Sequence, residues 1–241
     1  AKRQALFAGA EVNASEQRPA LHMAARWPTN KAAPDGMETA AAFCQQQRTK
    51  MASLVQRVHL GEWFGATGQA ITDVVHIGVG GSDLGPKLVS EALADRPSRV
   101  KVGVHYVSTM DGSQLLPLME TLNPATTLLV LASKSFTTAD TQFNVRTALL
   151  WLSDALEVEE ETIRRYQLLG VSSKPDKMTE FGIPQAHQLE FKEWIGGRFS
   201  LWSPIGVSVA MQLGIEHFDS LLEGAHAMDQ HFMAAPLEAN L

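Results

Sequence analysis

The sequence predicts an α/β fold, a doubly wound parallel sheet with helices on both faces. Two observations predict it. Five short apolar runs alternate with helical patterns between residues 71 and 191, and such alternation is typical of a parallel sheet. Clusters of glycine or hydroxyl residues directly follow two of these runs. Ligands of such sheets bind outside the carboxyl ends of the strands, so we expect the chemistry at these clusters.

The elements follow one another in a regular order. Apolar runs predict strands over residues 71–79, 100–107, 126–132, 168–172 and 186–191. Helical patterns follow over residues 86–93, 112–122 and 174–181, with one long helix ending near residue 156 and a mostly helical remainder from residue 202. Residues 1–35 are mixed, with turn signals. The polar, alanine-rich stretch 37–59 is typical of an exposed or partner-facing helix.

Composition argues against several classes of protein. The 241 residues carry a net charge of −6 and scattered basic residues, which argues against a nucleic-acid partner. No apolar run approaches the roughly 18 residues of a membrane span, and no signal peptide opens the chain, so we expect no membrane association. The single cysteine, Cys44, fits a reducing, cytoplasmic location and is expected to be a small buried hydrophobe. The eight histidines form no HExxH or His-x-His pair, so we expect no metal.

The first strand ends in a glycine turn, residues 78–85, with Gly81 and Ser82 at its centre. Glycines let backbone N–H groups approach an oxyanion, and the following helix adds the positive end of its dipole. A dinucleotide fingerprint would need glycine at Asp83, and a P-loop would need a Gly-Lys-Ser/Thr sequence that is not present here. The alternative is a tight strand-to-helix turn without a ligand.

The third strand ends in a hydroxyl turn, residues 133–141. Its five hydroxyl residues are Ser133, Ser135, Thr137, Thr138 and Thr141. They stand at the start of a long helix, where free N–H groups also favour an anion, and Lys134 supplies charge nearby. An ordinary N-cap is the alternative, but one Ser or Thr suffices for that. Two phosphate-suited turns in one sheet predict a small phosphorylated ligand, with Ser82 and Ser135 directed at one phosphoryl group.

A third segment is the Gly-Gly-Arg turn, residues 196–198. Paired glycines allow the backbone to pass beside a ligand, and the guanidinium of Arg198 could stabilise a developing oxyanion. The alternative is a surface turn in which Arg198 pairs with Glu193 or another acid.

In these three segments the sequence resembles the phosphoglucose (glucose-6-phosphate) isomerase family. The resembling blocks are GVGGSDLGP at 78–86, ASKSFTTADTQFN at 132–144 and EWIGGRFSLWSPIG at 193–206. The resemblance implies a flavodoxin-like sugar-isomerase domain over residues 61–215, after an N-terminal flanking segment, 1–60, that carries a helix. Residues 216–241 would begin a helical connection to a second domain. The chain starts without methionine and ends without a tail, so we expect missing sequence at both ends.

The resemblance also implies an activity, the interconversion of glucose 6-phosphate and fructose 6-phosphate through an enediolate, without metal or organic cofactor. It implies a homodimer for the full-length protein. The residues implied to contact the hexose 6-phosphate are Gly81, Ser82, Ser133, Lys134, Ser135, Thr137 and Thr138, with Thr141 as a further member. Gly197 and Arg198 would lie beside the reacting carbons, and Arg198 would stabilise the enediolate. Arg18 and His22 fall in a weaker matching block without an assigned role.

The family takes its glutamate base from a Glu-Ser-Asn-Gly segment that this sequence does not contain. Glu193 is a poor substitute, because it belongs to the Gly-Gly-Arg block. We therefore expect the chain by itself to be inactive. The alternative function is a noncatalytic sugar-phosphate-sensing module of a regulatory protein, which would keep the hydroxyl turn but has no need of the Gly-Gly-Arg block.

Overall fold

A computed structural model describes residues 2–95 and 101–240 and contains a five-stranded parallel sheet. The strands are β1 Asp73–Gly78, β2 Gly103–Val107, β3 Thr127–Ala132, β4 Leu168–Ser172 and β5 Gln188–Glu190. All four strand pairings are parallel. The predicted α/β fold with a parallel sheet is confirmed. The predicted start of the second strand, at residue 100, lies outside the described residues.

The strands lie in the order β2-β1-β3-β4-β5. From β1 the chain passes to one side to form β2, and it then returns to the other side of β1 to form β3. In register, Ile77 of β1 lies between Val107 of β2 and Leu131 of β3. This reversal is the switch point at which doubly wound sheets of this order bind their ligands. The ends of β1 and β3 are therefore the expected location of a site.

The helices cover both faces of the sheet. Their bounds are α1 Lys2–Phe7, α2 Glu38–His59, α3 Leu84–Ala92, α4 Leu115–Thr121, α5 Ala139–Leu156, α6 Glu160–Gln167, α7 Pro175–Glu180, α8 Val207–Leu213 and α9 Ile215–Ala234. Alternate residues of each strand point to opposite faces. Val74 and Leu128 pack with α2, α8 and α9, whereas Val75 and Leu129 pack with α4 to α7. The sheet is thus buried on both sides, as parallel sheets require.

Two expectations for the N-terminal part differ from the structure. Helix α1 has only six residues and was not predicted. Helix α2 was expected to be exposed or partner-facing, but it buries Met51, Leu54, Val55 and Val58 in the same core as the sheet. These apolar residues are confined to the second half of the helix, so the polar first half hid their helical spacing.

A buried ion pair fastens the N-terminal part to the C-terminal helix. The guanidinium of Arg26 donates from Nε and Nη2 to the two carboxylate oxygens of Asp229, each at 2.6 Å. Such a bidentate pair fixes orientation as well as distance.

Among the helices that the structure describes, none is long and apolar enough to cross a membrane.

Candidate functional site

A cavity of about 410 Å³ opens at the carboxyl ends of β1 and β3. Its lining residues are Arg18, Val79, Gly81, Ser82, Ala132, Ser133, Lys134, Ser135, Thr138, Thr141, Ser173, Lys174, Glu193 and Gly197. The structure therefore brings the glycine turn, the hydroxyl turn and Gly197 of the Gly-Gly-Arg turn to one place. Three cations and one carboxylate belong to this lining, so the cavity is locally positive although the chain has a net charge of −6.

At Gly81 the glycine turn has room only for backbone. Gly80 adopts a left-handed φ of +58°, which glycine reaches without a steric penalty. A Cβ at Gly81 would overlap the carbonyl of Gly197 and lie 2.8 Å from its Cα. The single hydroxyl hydrogen of Ser200 is shared between the same two residues, with Gly197 O at 2.6 Å and Gly81 O at 3.1 Å from Ser200 Oγ. The glycine turn and the Gly-Gly-Arg turn are thus packed backbone against backbone.

A histidine supports the glycine turn from inside the sheet. His76, in β1, is fully buried, and its Nε2 lies 2.7 Å from the carbonyl oxygen of Ser82. Burial lowers the pKa of His76 to about 4, so its ring is neutral at neutral pH. Because a carbonyl can only accept, Nε2 carries the ring proton and donates it to Ser82. No sequence motif marked His76 for this role.

The hydroxyl turn uses side chains instead. Thr138 is the N-cap residue of α5, yet its side chain makes no capping hydrogen bond; its hydroxyl lies 3.2 Å from that of Ser133. The alternative of an ordinary N-cap therefore does not account for Thr138. Phe136 has a left-handed φ of +59°, which is strained for a bulky residue. Its buried ring packs edge-on against Phe181, which holds the turn in this conformation.

The hydroxyl of Thr141 is the most informative group in the cavity. Thr141 is 1% exposed, and its Oγ1 is buried without a hydrogen-bond partner among the described residues. An unsatisfied buried hydroxyl costs about 1–3 kcal/mol. Thr141 also belongs to the lining of the cavity, so a small shift would let an anion oxygen there supply the missing partner.

The Gly-Gly-Arg turn extends the site to a second cavity. This neighbouring cavity, of about 730 Å³, is lined by Arg198 and shares Arg18, Lys134, Glu193 and Gly197 with the first. Arg198 is exposed, with its guanidinium 4.9 Å from the centroid of the Phe199 ring. No carboxylate of the described residues pairs with it, so the alternative in which Glu193 neutralises Arg198 does not hold in this structure.

Glu193 pairs with two other cations. Its carboxylate forms an ion pair with Lys174 and another with Arg18, the latter at 3.3 Å. The hydrogen bond from Lys174 holds the pKa of Glu193 below its ordinary value. Arg18 also pairs with Glu16, whose pKa is lowered to about 2 by that hydrogen bond. The sequence did not assign Arg18, Ser173, Lys174 or Glu193 to the site; for Arg18 its place in a weaker matching block was the only signal.

Eight of the ten residues predicted for the site line the 410 Å³ cavity. They are Gly81, Ser82, Ser133, Lys134, Ser135, Thr138, Thr141 and Gly197. The other two lie elsewhere. Thr137 is not part of the lining and donates its hydroxyl to that of Ser135 at 2.9 Å, whereas Arg198 lines only the second cavity.

Catalysis by a thiol or by a bound metal ion would need a reactive cysteine or a cluster of ligating side chains. Burial raises the pKa of the Cys44 thiol to about 12, which keeps it protonated. Among residues 2–95 and 101–240, no three His, Cys, Asp or Glu side chains lie close enough together to hold a metal ion.

Comparison with known proteins identifies the family of the chain. A family model described as phosphoglucose isomerase matches residues 1–241. Glucose-6-phosphate isomerase 2 of Chromohalobacter salexigens is 50% identical in an alignment covering 97% of this chain and 43% of that protein. The glucose-6-phosphate isomerase of Acinetobacter venetianus is 47% identical, with 99% and 42% covered.

The likeness extends to three dimensions. The crystal structure of a glucose-6-phosphate isomerase from Chlamydia trachomatis matches with a TM-score of 0.81 at 26% identity, covering 100% of this chain and 45% of that one. The chain spans less than half the length of each of these relatives. Since the family model matches it from end to end, the chain belongs to the phosphoglucose isomerase family.

Proposed function

We propose that this chain supplies the phosphate site and the stabilising arginine of an enzyme that interconverts glucose 6-phosphate and fructose 6-phosphate. The chain corresponds to 42–43% of two relatives that carry the name glucose-6-phosphate isomerase. In this proposal residues 61–215 form the first sugar-isomerase domain, and the full-length enzyme is a homodimer.

The unpartnered hydroxyl of Thr141 is the observation that carries the proposal. A phosphoryl group offers acceptor oxygens, and the hydroxyls of Ser82, Ser133, Ser135 and Thr138 line the same cavity as Thr141. The start of α5 adds N–H groups at the positive end of its dipole. Neutral donors of this kind bind a dianion without placing a fixed countercharge on every oxygen.

The proposal places the sugar in the second cavity, which is lined by Arg198. With the phosphoryl group among the hydroxyls, the carbon chain extends past Gly197 towards Arg198, since both cavities share Gly197. A Cβ at Gly197 would meet no atom within 4 Å, so this glycine leaves space where the sugar passes. The guanidinium of Arg198 then stabilises the enediolate oxygens while a base, which this chain does not provide, moves a proton between carbons 2 and 1.

Two measurements test the proposal. Calorimetry on the 241-residue chain should detect binding of glucose 6-phosphate, and glucose without phosphate serves as the matched control. The full-length protein should interconvert the two hexose phosphates in a coupled assay, whereas the isolated chain should not. Binding without turnover by the full-length protein would instead favour a sugar-phosphate sensor, and absence of binding would contradict both functions.

A further inference from the structure

Lys134 was expected to contact the substrate, but its side chain has another set of partners. The ammonium group donates to the main-chain carbonyl oxygens of Glu193 at 2.9 Å and Ile195 at 3.0 Å. Both carbonyls belong to the segment that leads directly into the Gly-Gly-Arg turn. An ammonium has three donors, so two of the three are used by this segment.

The backbone of Lys134 is fixed as well. Its carbonyl oxygen accepts hydrogen bonds from the hydroxyls of Ser172 at 3.1 Å and Ser173 at 2.8 Å, and from the N–H of Ser173 at 3.2 Å. The base of the side chain is thereby attached to the end of β4, while its tip holds the Gly-Gly-Arg segment. Lys134 thus bridges the hydroxyl turn and the segment that carries Arg198.

We propose that Lys134 is a positioning residue that fixes the distance between the phosphate site and the Arg198 end of the site. The inference rests on the proposed function. A lysine that served mainly as a phosphate ligand would leave its ammonium donors for the anion, but here main-chain carbonyls occupy two of them. Burial also lowers the pKa of Lys134, as expected for an ammonium held inside the structure. The consequence is that loss of this group should displace Arg198 relative to a phosphate that still binds.

Lys174 provides a matched control. It lines the same cavity and carries the same charge, but it pairs with the carboxylate of Glu193 rather than with main-chain carbonyls. The variants Lys134→Met and Lys174→Met in the full-length enzyme therefore remove equal charge from the cavity. Lys174→Met removes a side-chain contact to Glu193, whereas only Lys134→Met removes the hydrogen bonds to the main-chain carbonyls of Glu193 and Ile195.

We expect Lys134→Met to lower kcat about 10- to 100-fold, because a displacement near 1 Å has effects of this size. The inhibition constant of inorganic phosphate should change no more than it does in Lys174→Met. Lys134→Arg, which keeps a cation with several donors, should show an intermediate kcat. A wild-type kcat in Lys134→Met, or a loss confined to phosphate inhibition, would overturn the inference.

Hydrogen exchange tests the bridge independently of activity. In the 241-residue chain, Lys134→Met should speed amide exchange at residues 193–198 more than at residues 78–85. Equal exchange at 193–198 in the variant and the wild type would contradict the bridge. A full-length wild-type enzyme without isomerase activity would contradict the proposed function but would leave this measurement valid.

Discussion

The glycine turn after β1 and the hydroxyl turn after β3 line one cavity by opposite means. At Gly81 the absence of a side chain is what matters, since a Cβ there would overlap the backbone of Gly197. In the hydroxyl turn the side chains themselves face the cavity, with Ser133, Ser135 and Thr138 among its lining. One turn fixes the shape of the site, and the other supplies its donors.

This difference predicts how each turn responds to substitution. An atom added at Gly81 meets main chain, which cannot easily move aside, so the fold itself is affected. An atom removed from the hydroxyl turn takes away one donor and leaves the backbone in place. Adding a Cβ at Gly81 should therefore lower stability and binding together, whereas loss of a hydroxyl from the second turn should act mainly on binding.

The largest effect is expected for Gly81→Ala. The added methyl group would overlap the Gly197 carbonyl, so we expect the free energy of unfolding to fall by about 3 kcal/mol or more, with loss of phosphate binding. Urea unfolding and calorimetry on the 241-residue chain measure the two quantities. Gly197→Ala is the control for stability, because a Cβ there meets no atom within 4 Å. Equal destabilisation by both changes would contradict the packing argument.

Ser135→Ala and Thr138→Ala should act mainly on binding. Each removes one donor, so we expect the affinity for glucose 6-phosphate to fall by about 1–3 kcal/mol. The free energy of unfolding should fall by less, because each hydroxyl also bonds a neighbouring hydroxyl in the partly exposed turn. Calorimetry measures the affinity. Thr147→Ala is the control, since that hydroxyl lies on α5 and donates to Phe143 O at 3.0 Å. Unchanged affinity in both site variants would remove the hydroxyl turn from the site.

The pH dependence of the free energy of unfolding tests the role of buried His76, which supports the glycine turn. The pKa of His76 is about 4 in the folded protein against 6.5 ordinarily, so below pH 6.5 the unfolded state binds a proton that the folded state does not. The free energy of unfolding should therefore fall as the pH drops from 6.5 to 4. We expect His76 to contribute about 2 kcal/mol of the loss between pH 7 and pH 5.

His76→Asn isolates that contribution. Burial also lowers the pKa of His22 and His187 to about 4, so both the wild type and the variant should lose stability in acid. The variant should lose less, by the share of His76, in urea unfolding at the two pH values. An identical pH dependence would show that His76 is not held neutral in the fold.

The smallest effect, of opposite sign for stability and binding, is expected for Thr141→Val. The change replaces an unpartnered buried hydroxyl by a methyl group of similar size, so the free chain should become more stable by about 1 kcal/mol. Its affinity for glucose 6-phosphate should decrease. Thermal unfolding of the free chain measures the change in stability. The further rise in unfolding temperature that glucose 6-phosphate produces measures the change in affinity. A loss of stability in the free chain would mean that this hydroxyl already has a partner.

The regular pattern of the sequence predicted most of the sheet. Strand β4 was predicted at residues 168–172 and lies there, and β5, predicted over 186–191, is shorter at Gln188–Glu190. Apolar runs between turn signals are local features, so they can be read without the fold. Helix α1 escaped notice because six residues give too short a pattern for helical spacing.

The site was predictable where its chemistry is carried by side chains in one stretch. The hydroxyl turn is such a stretch, whereas Arg18 reaches the cavity from far along the chain and Phe136 adopts a left-handed φ without the residue type that usually marks it. Lys134 was recognised as a site residue, but its partners are main-chain carbonyls. Every residue type offers such a carbonyl, so the sequence carries no mark of the contact.

The amino-acid sequence by itself determined which groups stand at the end of each strand, because a turn is built from consecutive residues. Only the tertiary structure decided which turns meet. The sheet order places β3 beside β1 rather than beside β2. Because strand pairing joins residues far apart in the sequence, it puts glycine backbone, hydroxyls and Lys134 around one cavity.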